Sequence, residues 1–114
     1  MGDLSPHFSR SEFDCHDGQL AHPDPLLVSR LERLRAIVGR PCVIVSGYRD
    51  AAYNARVGGA PGSQHVANKA ADLVHGYASL GQAQSAGFTG IGTCGGSAVH
   101  VDVRAGAPVV FTDC

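Results

Sequence analysis

The chain has 114 residues, 44% of them hydrophobic and 17% charged, a length at which one compact domain is expected. No apolar run approaches a membrane span, and the first twenty residues mix Asp3, His7, Arg10, Glu12 and Asp14 with no hydrophobic stretch; neither a spanning helix nor an export signal is expected. Nine Lys plus Arg against ten Asp plus Glu give a formal charge of -1, and the cations are dispersed apart from Arg30, Arg33 and Arg35, so electrostatic nucleic-acid binding is not expected either.

The opening through Ala21 has no sustained period; Leu4, Phe8, Phe13 and Cys15 read as anchors that pin an irregular arm, residues 1–21, onto the core. From Pro23 the pattern changes. Leu26, Leu27, Leu31, Leu34, Ile37 and Val38 recur at three- and four-residue spacing, which predicts an amphipathic helix that Pro23 and Asp24 start and Gly39 stops, with Pro41 just beyond. Cys42–Val45 is a run of β-formers closed by Ser46 and Gly47, short enough to be a buried strand. Asp50 is placed to cap a short helix ending at Gly58 and Gly59. After a glycine- and proline-rich loop through Gly62, Leu73, Val74 and His75 could extend a strand, and Ala78–Ala86 could form a small helix stopped by Gly87. In Ala98–Arg104 polar and apolar residues alternate: His100, Asp102 and Arg104 share one face of a strand and Val99, Val101 and Val103 the other. The expected fold is a single small α+β domain over residues 1–114 whose antiparallel sheet carries the site, with a few short helices.

Six histidines against two glutamates make imidazole chemistry the first place to look. His65 and Asp72, seven apart, together with His100 on the alternating strand, could supply three metal ligands. Two neutral imidazoles and a carboxylate leave zinc with residual positive charge and an open position, as catalytic rather than structural sites do. The bland alternative is a loop histidine, a locally paired aspartate and a solvent-facing strand histidine. His7, His16, His22 and His75 read as solvated or hydrogen-bonded. Cys15, Cys42, Cys94 and Cys114 form no CxxC pair and admit three disulfide connectivities, with at least one bridge expected once the protein leaves a reducing compartment.

The string SGYR at Ser46–Arg49, then YNARVGGAPGSQH, the Ala70–Asp72 segment, GIG and VHVDVR occur in an order that resembles the peptidase M15 group of zinc D-Ala-D-Ala peptidases. That family's Ser-x-His-x-x-Gly-x-Ala-x-Asp pattern is matched at Ser63, His65, Ala70 and Asp72, with Asn68 where glycine is usual; asparagine tolerates positive φ better than most residues. The opening FSRSEFDC is similar to the amino-terminal arm of short members. The resemblance implies the hedgehog/D-Ala-D-Ala peptidase-like fold, Zn2+ held by His65, Asp72 and His100, and Arg49 as a substrate or oxyanion contact. Ser63, two before the first ligand, could hydrogen-bond a ligand or the substrate backbone or shape its loop, and Tyr48 reads as a substrate-side cleft-wall residue or a packing residue. Many members place an acid three residues before the last histidine, and here Ser97 stands there. Asp102 could serve as the base, or as the carboxylate that orients His100.

These expectations describe a zinc peptidase, probing as substrate the peptide stem of bacterial peptidoglycan at either the terminal D-Ala-D-Ala link or an internal bond. It would be a monomeric phage-type lysin made in the cytoplasm and acting on the wall after release, or carried in a virion. Two other readings compete: a zinc-containing binding module without catalysis, for which Ser97 argues, and a cysteine hydrolase pairing Cys94 with His100.

Overall fold

The computed structural model describes residues 2–59 and 62–114; Ala60 and Pro61, inside the expected glycine- and proline-rich loop, lie outside the described residues. The amino-terminal arm contains one turn of 3-10 helix, Arg10–Phe13. Phe8, Phe13 and Cys15 are buried as expected, whereas Leu4 is 40% exposed and does not act as an anchor. Glu32 ties the arm down by accepting from the Ser5 hydroxyl at 2.6 Å and pairing with His7 Nδ1 at 2.7 Å.

The first long helix, α1, spans Pro25–Val38. Its ends follow from the residues there. The Asp24 side chain accepts the Leu26 N–H, satisfying a donor with no partner inside the helix, and Gly39 takes the left-handed conformation (φ 83°) that closes it. Two shorter helices follow, α2 at Ala51–Arg56 and α3 at Leu80–Ala86. Asp50 caps α2 through the Tyr53 N–H, and Ser79 and Gln82 cap α3 reciprocally.

Five strands, β1 (Ile44–Ser46), β2 (Ala70–Leu73), β3 (Gly90–Cys94), β4 (Ser97–Asp102) and β5 (Val109–Thr112), form one sheet in the order β1-β2-β4-β3-β5. The first four pair antiparallel, as expected; β5 adds to β3 in parallel, so the sheet is mixed. Two expectations need correction. The run Cys42–Val45 is not a buried strand: β1 is an edge, and Val43 and Val45 are 60% and 48% exposed. The strand expected at Leu73–His75 lies earlier, because Ala70–Asp72 pair with Val101 and its neighbours on β4.

Leu27, Leu31 and Leu34 of α1 pack with Ala83 and Ala86 of α3 and with Ala71, Ile91 and Val101 from the sheet's inner face. Fully burying a leucine contributes roughly 1.5–3 kcal/mol, so this face fixes which side of β2 and β4 points inward. The opposite parity carries the polar residues. Asp72, His100 and Gly92 stand directly opposite one another on β2, β4 and β3, and Phe111 of β5 completes the row. The expected alternation holds for His100, Val101, Asp102 and Val103. Val99 departs from it because the register jumps from Gly92↔His100 to Thr93↔Ala98, leaving Val99 in a bulge. Among the described residues no helix is long and apolar enough to cross a membrane.

Candidate metal centre

One ring or carboxylate atom from each of His65, Asp72 and His100 lies within 4.8 Å of the others. His65 Nε2 and His100 Nδ1 stand 3.2 Å and 3.3 Å from the same oxygen, Asp72 Oδ1. Asp72 and His100 meet because their strands pair in register; His65 reaches them from the loop before β2. That loop is shaped by Asn68, the non-glycine residue with positive φ (61°) among those described. Its carbonyl accepts the Asp24 N–H and its side chain the His22 N–H, both at 2.9 Å. The side-chain bond is one that glycine could not make, and it ties the ligand loop to the stretch just before α1.

The remaining nitrogen of each imidazole is held by an acceptor. His65 Nδ1 lies 2.7 Å from the Gly47 carbonyl, which can only accept, so Nδ1 carries a proton and Nε2 is the nitrogen turned toward Asp72. His100 Nε2 donates to Asp102 Oδ2 at 2.7 Å, leaving Nδ1 turned toward Asp72. Asp102 is fully buried and is gripped by Arg104 through Nε at 2.9 Å and Nη2 at 2.6 Å. The space for its carboxylate exists because residue 90 is glycine; a Cβ there would collide with both Asp102 oxygens. Imidazoles whose distal nitrogens are fixed this way are oriented for metal ligation before any metal arrives.

Electrostatics agree with the geometry. Burial pushes the Asp72 carboxyl up, but hydrogen bonds and charge from His100 and His65 outweigh it and hold the group well below the usual carboxylate range. Burial pulls His100 down, yet Asp102 and Asp72 push it up to about 9. Without a metal, the centre thus holds a proton on an imidazole between two carboxylates, a position a divalent cation could take. Two buried imidazoles and one half-buried carboxylate, convergent, fit zinc's preference for nitrogen and oxygen donors.

A cleft of about 520 Å³ opens over this group. Arg49 lines it, donating from Nη2 to Asp72 Oδ2 at 3.1 Å and from Nη1 to Asn54 Oδ1 at 3.4 Å; it pairs with Asp72 rather than with adjacent Asp50. Ser63 also lines the cleft, and its hydroxyl accepts the His65 N–H at 3.2 Å. Tyr48 does not reach the cleft wall: it packs against the core while its N–H donates to Phe13. Asp102 does not line it either, since both oxygens face His100 and Arg104. No described residue of the arm borders the cleft; the arm instead buttresses Gly47, whose Cα faces Phe13 closely enough that a Cβ would lie 2.7 Å from Phe13 Cα. Val57 and the glycines at 58, 59 and 62 line it on the loop side, and Gln64, Arg104, Phe111 and Asp113 line it as well; of these last four only Arg104 carries a signal in the sequence, its strand face.

The cysteines divide. Cys94 and Cys114 are joined in a disulfide with Cα atoms 4.9 Å apart, while Cys15 and Cys42 are free and buried. Burial pushes the Cys42 thiol up to about 11. Cys94 therefore offers no thiol to His100, and Cys42 is held in its unreactive form. His75 is exposed, with Nε2 3.1 Å from the Cys94 carbonyl, away from the cleft.

A small α+β domain with two histidines and an aspartate converging at the floor of an arginine-lined cleft is the architecture of a metallopeptidase. The profile of the peptidase M15 family matches residues 6–102, and the chain belongs to that family. The match takes in all three converging residues, Arg49 and the arm from residue 6 onward. No curated protein matches the chain.

Proposed function

We propose that this protein is a zinc-dependent peptidase that hydrolyses an amide in the peptide stem of bacterial peptidoglycan, at the terminal D-Ala-D-Ala link or an internal bond, in the manner of a phage-type lysin acting on the wall after release or from a virion. The observation that carries the reading is the pair of oriented imidazoles meeting one carboxylate, each imidazole fixed from behind by Gly47 or Asp102. Zinc held by His65, Asp72 and His100 would supply Lewis acidity for the scissile carbonyl and lower the pKa of water.

The chain's own groups do the rest. Asp102, held by Arg104, keeps His100 in the tautomer that presents Nδ1, so it is a positioning residue rather than the base. Arg49 keeps donors beyond the two engaged by Asp72 and Asn54, and a guanidinium at the cleft wall can grip a substrate carboxylate or steady the oxygen that becomes negative during attack. Ser63 shapes the His65 loop. Stem peptides suit such a cleft, being short, flexible and rich in carboxylates that a guanidinium can hold.

Zinc content by elemental analysis, run beside release of new amino groups from purified peptidoglycan, tests this on wild type and His65→Ala. The expected result is about one zinc per chain in wild type, lost in the variant together with hydrolysis. Zinc without hydrolysis would instead support the binding-module reading, which one observation favours: the Ser97 hydroxyl accepts from Gly76 N–H at 2.7 Å and donates to the Ala78 carbonyl at 3.3 Å, so no acid occupies that position.

A further inference from the structure

Amide hydrolysis needs a group that takes a proton from the attacking water and hands it to the leaving nitrogen. Ser97 cannot, and Asp102 is sealed beneath His100 with its oxygens engaged. Among the described residues two carboxylates line the cleft, Asp72 and Asp113. Asp72 is occupied by both histidines and Arg49. Asp113 is exposed and, among the described residues, forms no ion pair.

Its position is well defined. The Asp113 N–H donates to the Thr93 carbonyl at 2.8 Å, and the next residue, Cys114, is bonded to Cys94 on the neighbouring strand. A Cβ at Gly92 would lie 2.9 Å from Asp113 Cβ and 3.0 Å from His100 Cβ. Both side chains therefore start close to one point of the sheet, beside Phe111, whose ring lies 5.3 Å from that of His100 and which also lines the cleft.

We propose that Asp113, supplied by the segment after β5 beyond the family-matched stretch, is the general base of the reaction, a role that rests on the hydrolytic reading above. As the water oxygen bonds to the scissile carbonyl carbon, its O–H bond breaks and the proton passes to the Asp113 carboxylate. As the C–N bond breaks, that proton passes to nitrogen. The products are a carboxylic acid and an amine, the acid's remaining proton then passing to the amine to leave carboxylate and ammonium, with no change of oxidation state and Asp113 restored.

The test uses zinc-loaded wild type, Asp113→Asn, Asp113→Ala and Asp113→Glu with the soluble stem pentapeptide L-Ala-D-γ-Glu-L-Lys-D-Ala-D-Ala, which contains each candidate stem bond. Zinc content, equilibrium binding of the peptide and steady-state cleavage are all read. The expected result is full zinc and unchanged peptide binding in Asp113→Asn and Asp113→Ala, with kcat lower by about a hundredfold or more. Added formate partly restores Asp113→Ala, and Asp113→Glu keeps part of the rate. An Asp113→Asn rate within about threefold of wild type at full zinc, well short of what losing a base costs, overturns the proposal. So does loss of zinc or peptide binding in that variant, which would make Asp113 a structural or binding group. Wild type that cleaves nothing removes the hydrolytic reading and this role together, an outcome distinct from an active Asp113→Asn.

Discussion

The two histidines of the centre are held in different ways. His65 leans on a main-chain carbonyl, Gly47, in a loop buttressed by the arm. His100 leans on a side-chain carboxylate that is itself gripped by a guanidinium. A backbone acceptor contributes a dipole and cannot be deleted by substitution; a carboxylate contributes full charge and makes the imidazole more basic, but can be lost to one mutation. The loop ligand is thus robust and electrically plain, the strand ligand adjustable and vulnerable.

That difference is broken most directly at Asp102. Asp102→Asn removes the charge behind His100 and sets an amide against the Arg104 donors; zinc affinity should fall about 10–100-fold, measured by competition with a chromophoric chelator. An affinity within twofold of wild type would mean that the charge behind His100 is immaterial. A smaller effect of the same kind is expected at Gly90→Ala, whose new methyl collides with the Asp102 carboxylate. Overpacking of this sort costs about 1–3 kcal/mol, readable as a lower midpoint in urea, and the variant should also bind zinc more weakly.

The gentlest probe is pH on the metal-free protein. His100 is raised from 6.5 to about 9, so its contribution to stability is fully present below pH 6.5 and is lost as pH rises through about 9. Asp72 and Asp102 are depressed from 3.8, so theirs is present above that value and is lost as pH falls below it. The metal-free Tm should therefore be highest between about pH 4 and 6.5 and decline on both sides, and saturating zinc should flatten the alkaline decline by displacing the His100 proton. A metal-free Tm that climbs from pH 6.5 to 9 would contradict the ion-paired His100.

Much of this centre was legible in the sequence because the relevant signals are local. The alternation through His100 and Asp102 places both on one face, the Asp24 and Gly39 caps bound α1, and Asn68 in a glycine position announces a left-handed turn. What escaped was written in long-range contacts. The β3 segment, with Gly90 and Gly92 where β-formers are usual, carries a weak strand signal; those glycines are there to admit the Asp102 carboxylate and Phe111 from other strands. Val109–Thr112 is a short, mostly exposed edge whose pattern names no partner. The choice among three disulfide connectivities, and with it the placement of Asp113, depends on β5 lying alongside β3. Exposure of Val43 and Val45 likewise depends on β1 being an edge, which no local pattern records.

The parallel docking of β5 has a consequence for how such enzymes can diverge. A strand on the outside of a sheet, joined to one neighbour and stapled at its tip, can be lengthened, replaced or exchanged between related chains without touching the β2–β4 pairing that spaces the metal ligands. Transplanting the stretch after Asp102 between family members, with its half of the staple, would in effect swap one lip of the mouth while leaving the jaw hinged as before.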